Sequence, residues 1–285
     1  LTCENPVLAS FLAGRLETEP VEVVPFQRIG DVEEPVDVLI VDEAQDILDT
    51  EGLAALDRAV TGGLKNGSWR IFLDPNTQAD FVGRFDPEAL AMLEELGVTA
   101  ILSDNCRNSR EVVTSTTLMT GADLGTAALG PGPSVDTVVY STRSEATGLA
   151  TAKIRSLIGQ GVSPADMTLL SAVPYLDSTF GDLPDDLGSM ILRLDEHVVS
   201  GWPPKSMTFA QISAFKGFEN RFILVSDLLD VAGDPQAVAS LYVAMSRARV
   251  ALWVALSQSA EEQLRPVIAA NATRLIESRE GGGDA

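Results

Sequence analysis

The chain is 285 residues long, 45% hydrophobic, and carries a formal net charge of −21. That length and apolar content suffice for one large domain or two of ordinary size, and they exclude a broadly disordered chain. No apolar run is long enough to span a bilayer, and the opening LTCENPVLAS does not read as a secretory signal, so the expectation is a cytoplasmic protein without a membrane partner.

Cys3 and Cys106 stand far apart with no CxxC or histidine-rich neighbourhood. Both are read as free buried thiols, and a disulfide framework or zinc site is excluded. The lone His197 rules out a multi-histidine metal site, and with no visible orienting neighbour it is read as a surface or loop residue. The acidic balance repels phosphate backbones and argues against nonspecific coating of nucleic acid. A local groove built from a few Arg, backbone N–H groups and stacking side chains stays compatible with it. Salt adaptation or high-GC coding is the plainer source of the acidity.

In chain order, the first clear element is the apolar run VLIV at Val38–Val41, read as a buried parallel strand. Thr50–Leu64 has helical spacing in Leu53, Leu56, Val60 and Leu64, with Thr50 before Glu51 at its start. Trp69–Leu73 is a second strand, ending at Asp74. Pro87–Leu96 is a helix opened by Asp86-Pro87 in cap and first-turn positions. Ala100–Leu102 is a brief strand that runs into SDNCRNS, and Ser109–Met119 is helical. Gly121–Ser134 is dense in Gly and Pro and reads as a linker.

The second half repeats the alternation. Val135–Tyr140 is a strand, Ser144–Ile158 a helix, Met167–Leu170 a strand, and Asp177–Gly188 a polar loop. Phe222–Ser226 and Val250–Leu256 are strands, with a helix at Pro235–Ala244 between them. A last helix, Ser259–Ser278, leads into a Gly-rich tail that frays. Two successive alternating blocks predict an α/β fold with two parallel sheets. The domain reading is 1–102, 103–278 and a flexible tail 279–285.

The string DEAQD at Asp42–Asp46 carries the chemistry. It places Asp42 and Glu43 at the carboxyl end of a strand, where open α/β sheets hold their ligands. Paired carboxylates there suit a magnesium-nucleotide site, one holding the metal and its neighbour polarising a water. A solvated strand end is the alternative for Asp-Glu alone. Gln45 and Asp46 continue the polar cluster and make the string more specific.

The ordered set DEAQD, LDPNTQ, LSDNCRNS, ISAFKGFEN and LYVAMSRAR resembles motifs II to VI of UvrD/Rep-like superfamily 1 helicases, and LTCENPVLASFLAGRL resembles their motif Ia. The resemblance spans most of the chain and implies two tandem RecA-like domains of the P-loop NTPase type, the first incomplete. It implies ATP and Mg²⁺ as cofactors. Asp42 would hold the metal with Glu43 beside it, and Glu43 would orient and deprotonate the attacking water. Gln45 and Gln78 would sense the γ-phosphate, and Asp74 would lie near the metal. Arg107 and Arg247 would be arginine fingers. Glu219 would bind the ribose, with Lys216 and Gly217 of the same motif near the interdomain cleft. Taken singly, each has a plainer reading. Arg107 could cap or pair with Asp104, Arg249 reads as a surface ion-pair partner, and Lys216-Gly217 as an ordinary turn.

Three features depart from the pattern. No GxxxxGK[ST] occurs, so the loop that cradles phosphates is missing, and the chain reads as the C-terminal part of a longer polypeptide whose upstream part carries it. Its first sheet then has an open hydrogen-bonding edge. Cys106 replaces the usual adenine-stacking Tyr, and a thiol offers no such face. Gln211 and Ser213 replace the usual Thr and His of motif V. The short spacing between motif Ia and DEAQD leaves no room for an inserted domain.

Two functions follow from this resemblance. The first is an ATP-driven helicase or translocase on single-stranded DNA, with RNA as the alternative substrate, in which this chain alone is inactive. The second is a noncatalytic helicase-like scaffold. Joint retention of Glu43, Gln78, Arg107 and Arg247 favours the first, because a scaffold gains nothing from a polar set that is costly to desolvate.

Overall fold

The structure is a computed structural model that describes residues 1–74, 85–195, 197–199, 203–228 and 234–281. The chain divides into two compact units, Leu1–Leu102 with Asp195–Trp202, and Ser103–Leu194 with Pro203–Ala285. Both are α/β, and every strand pairing among the described residues is parallel.

The sheet of the first unit has four strands, β1 (Thr2–Cys3), β2 (Val24–Pro25), β3 (Val38–Val41) and β4 (Ser68–Ile71), in the order β2-β1-β3-β4. β3 is the predicted VLIV strand. Leu39 and Val41 face the core while Val38 is exposed, so one face is buried rather than both. Local capping sets the helices. Asn5 accepts from Val7 N and Leu8 N ahead of Pro6–Arg15, and Asp86 accepts from Glu88 N ahead of Pro87–Leu96. The core joins Leu39, Val41, Ile47, Leu48, Leu56 and Leu93.

Two expectations for this unit are corrected. The helix predicted to reach Leu64 is Thr50–Ala59, capped by Asp49 rather than by Thr50, and a separate turn follows at Gly63–Asn66. The break comes at Val60, which turns extended (φ −113°, ψ 138°) and bridges Val36, and Gly62 and Gly63 follow with φ values of 87° and 65° in the left-handed region. Ala100–Leu102 is not a strand. Its composition suits one, but it has no ladder partner among the described residues, and Ile101 and Leu102 are 87% and 89% exposed.

The second unit is built on six strands: β7 (Asp136–Tyr140), β8 (Met167–Ser171), β9 (Ile191–Arg193), β10 (Met207–Gln211), β11 (Asn220–Ser226) and β12 (Ala248–Ser257). Their order is β7-β12-β11-β8-β10-β9. The linker-like Gly121–Ser134 holds a short strand, β6 (Thr126–Ala127), paired with β5 (Asp104–Asn105). The helix Arg143–Gly159 is closed by a reciprocal cap in which Glu145 N donates to Thr142 Oγ1 and Ser141 N donates to Glu145. The final helix is Gln258–Gly281, so it runs past the predicted end at Ser278, and residues 282–285 of the predicted tail lie outside the described residues.

The predicted loop Asp177–Gly188 contains helical turns at Thr179–Asp182 and Asp185–Gly188. Its polar composition hides three apolar residues, Phe180, Leu183 and Leu187, that pack into the same core as Ile154, Leu169, Phe209 and Trp253. Burying them fixes the backbone between. Asp227 reinforces this by accepting from Thr179 N, Thr179 Oγ1 and Ser171 Oγ at the carboxyl ends of β8 and β11.

Candidate functional site

The first unit gathers Asp42, Glu43, Gln45 and Asp74 at the carboxyl ends of the adjacent strands β3 and β4. Val41 O accepts from Phe72 N, and Phe72 O accepts from Ala44 N, so the backbone after β3 folds back against the backbone after β4. Glu43 occupies the turn between them with φ 53° in the left-handed region, an uncommon place for a residue with a β-carbon. Asp42 accepts from Glu43 N at 3.1 Å, which helps to hold that conformation. Gln45 is fully buried. Its Nε2 donates to Glu43 Oε2 at 2.6 Å, and its Oε1 accepts from Asp74 N at 3.0 Å. One neutral amide therefore orients the candidate base and ties it to the end of β4. Gln78, the other predicted sensor, lies outside the described residues.

Cys3 on β1 reports the electrostatics of this end of the sheet. Its thiol is pushed up to about 12, first by burial and then by the negative charges of Asp42, Glu43, Glu4 and Asp46. The expectation of two buried thiols holds for Cys3 and is corrected for Cys106, which is exposed; both are free. Cys106 sits in the SDNCRNS segment, between the short strand β5 and the helix Arg110–Thr120, beside Asp104 and Arg107, which are exposed as well.

Among the described residues, no three His, Cys, Asp or Glu side chains form a group able to hold a metal ion by themselves. Mg²⁺ in general keeps several waters and takes one or two carboxylates alongside substrate phosphates. Asp42 and Glu43 are the carboxylates that fit such a role. No helix among the described residues is long and apolar enough to cross a membrane.

The second unit carries Arg107, Lys216, Gly217, Glu219 and Arg247. Arg107 pairs with Glu219 rather than with Asp104, its Nε lying 2.6 Å from Glu219 Oε2. Arg249 reaches the other oxygen of the same carboxylate at 3.3 Å, the surface ion pair expected for it. Glu219 thus sits between two half-exposed guanidinium groups, and the trio carries a local net charge of +1 on a strongly acidic chain. Gly217 adopts φ 86°, so the KG turn requires a glycine. Lys216 beside it is buried.

Arg247 is 1% exposed. It caps the C-terminus of the helix Pro235–Ser246, its Nε donating to Val243 O and its Nη2 to Ser246 Oγ. The fold therefore places this guanidinium against its own helix end, where a cation also complements the helix dipole.

Sequence reasoning passed over Asn105 and Asn108. Asn105 Oδ1 accepts from the backbone N–H groups of Arg107 and Asn108, forming the turn that presents Arg107. The buried Asn108 donates to Ser246 O and Ala248 O. The Asn pair three apart in NCRN was the available signal, since such residues favour local turns.

Compared with known proteins, the chain matches no protein-family model and no curated protein. Among solved structures it is similar to the C-terminal domain of a possible DNA helicase from Lactobacillus plantarum WCFS1, with a TM-score of 0.44 and 12% identity over 58% of this chain and 92% of that one. At that level the overlap says nothing about activity.

Proposed function

We propose that the chain is part of an ATP-dependent superfamily 1 helicase or translocase that couples ATP hydrolysis in two RecA-like domains to movement on single-stranded DNA. The observation that carries this reading is the Asp42–Glu43–Gln45–Asp74 network, in which a buried amide aims a strained Glu at the carboxyl end of a parallel sheet. That arrangement suits a base that must be held in one orientation to deprotonate water. Gln45 couples the position of Glu43 to the end of β4. Arg107 and Arg247 would act as arginine fingers that stabilise the transferring phosphoryl group, and Glu219 sets where Arg107 lies. Mg²⁺, held by Asp42 and Glu43, would neutralise phosphate charge. A phosphate-gripping loop is needed to complete such a site.

Nucleic acid binds in a narrow groove rather than on a general basic surface, because the net charge is −21. Single strands suit such a groove, since unpaired bases stack and backbone N–H groups hold phosphates. Binding then has a shallow salt dependence, reflecting few ionic contacts.

The noncatalytic scaffold is the second reading, favoured by the burial of Arg247 against its own helix end. ATPase assays separate the two. The chain alone hydrolyses no ATP. Joined to a segment that supplies the loop, it gains turnover that single-stranded DNA stimulates and that Glu43→Gln abolishes while nucleotide binding persists. Absence of binding and stimulation in low-salt titrations establishes the scaffold, and stimulation by RNA alone keeps the motor and changes its track.

A further inference from the structure

We propose that Asn108 is a positioning residue that locks the segment bearing Arg107 to the segment bearing Arg247, so that the two arginines are held in one frame. This rests on the reading of Arg107 as a phosphate-facing group. Asn108 follows Arg107 directly in the chain, and its side chain is buried within the second unit. Its Nδ2 donates to Ser246 O at 2.9 Å and to Ala248 O at 2.7 Å, the carbonyls on either side of Arg247. Its Oδ1 accepts from Asn105 Nδ2 at 3.0 Å. Both amide hydrogens and the carbonyl are thus used, and the orientation is unambiguous, because a flipped amide would set its oxygen against two carbonyl oxygens.

The bonds span 138 and 140 residues of sequence, so neither segment could reach this geometry by local propensity. Asn105 completes the frame. Its Nδ2 also donates to Leu124 O, and its Oδ1 holds the N–H groups of Arg107 and Asn108. The helix cap at Ser109 follows at once. Arg107 is therefore presented on a short turn whose base is bolted to the backbone around Arg247. A side chain that merely filled space would not place both of its donors on carbonyls flanking one residue. Any shift of the Arg247 turn is passed to Arg107 through a buried amide, not through solvent-exposed side chains.

The test uses the 285-residue chain, with inorganic pyrophosphate as the probe, titrated calorimetrically, together with hydrogen exchange. Arg107→Ala is expected to weaken pyrophosphate binding by about tenfold, as for loss of one charge-assisted contact. Asn108→Ala is expected to weaken it by about five- to tenfold although Arg107 is intact, with Asn108→Ser, which keeps one donor, between it and wild type. Asn108→Ala is also expected to raise exchange at the amides of residues 246–248. If Asn108→Ala does not fold, Asn108→Ser gives the same comparison. A folded Asn108 variant with wild-type affinity, or with wild-type exchange at those amides, overturns the proposal. If pyrophosphate binding is absent or indifferent to Arg107→Ala, the phosphate reading of Arg107 fails, and the exchange result alone decides whether Asn108 couples the two segments.

Discussion

Gln45 donates to the Glu43 carboxylate at 2.6 Å while accepting from the backbone of Asp74, so a buried amide links a candidate base to the neighbouring strand end. Replacing it removes both bonds and leaves the Asp74 N–H without this acceptor. Gln45→Ala is expected to cost about 1–3 kcal/mol of stability, as for a part-buried donor deprived of its partner. Urea unfolding of the chain measures this. In a protein supplied with the phosphate loop, the same change lowers kcat more than it raises KM, because Glu43 loses its orientation and not its identity.

Backbone strain at Glu43 gives a second expectation that needs no nucleotide. Alanine normally stabilises relative to glycine, but a φ of 53° reverses the order, because a β-carbon costs about 1 kcal/mol in the left-handed region and glycine costs nothing. Glu43→Gly should therefore be more stable than Glu43→Ala by about 1 kcal/mol. Equal stabilities in denaturant titrations would remove the case for strain at this turn.

Arg247 tests whether a buried arginine can also act on phosphate. Arg247→Lys keeps a cation near the helix end but loses the planar fork that bonds Val243 O and Ser246 Oγ. In the loop-supplied protein, Arg247→Ala is expected to lower turnover on the order of 10³-fold, with Arg247→Lys close behind. A folded variant that loses less than tenfold assigns Arg247 to the helix cap alone.

Cys3 predicts a pH dependence. Its folded-state value of about 12 exceeds the ordinary 9.0, so the folded state keeps the thiol protonated where the unfolded chain has released the proton. The resulting stabilisation is fully lost relative to its low-pH level only as pH rises from about 9 to about 12, a span worth on the order of 4 kcal/mol. Below pH 9 it is intact. Wild type should therefore lose stability relative to Cys3→Ala as pH is raised above 9. With a thiol reagent near pH 8, Cys106 should react at once and Cys3 only on unfolding, since Cys106 is exposed and Cys3 buried.

Local signals were legible in the chain itself. The strand Val38–Val41, the helix Pro87–Leu96 with its Asp86 cap, and the alternation that predicts parallel α/β sheets all follow from residues close in sequence, because caps and apolar periodicity act over a few positions. The pairing of DEAQD with a strand end was legible for the same reason. What needed tertiary structure was every feature defined by a distant partner. Two-residue strands such as Thr2–Cys3 have no period to read and exist through their ladder, whereas Ala100–Leu102 has strand composition and no described partner. Phe180, Leu183 and Leu187 became ordered only because a core received them. Arg107 meets Glu219, and Asn108 meets the carbonyls around Arg247, across more than a hundred residues. Such contacts depend on strand order and register in the six-stranded sheet, and short-range propensity carries no information about either.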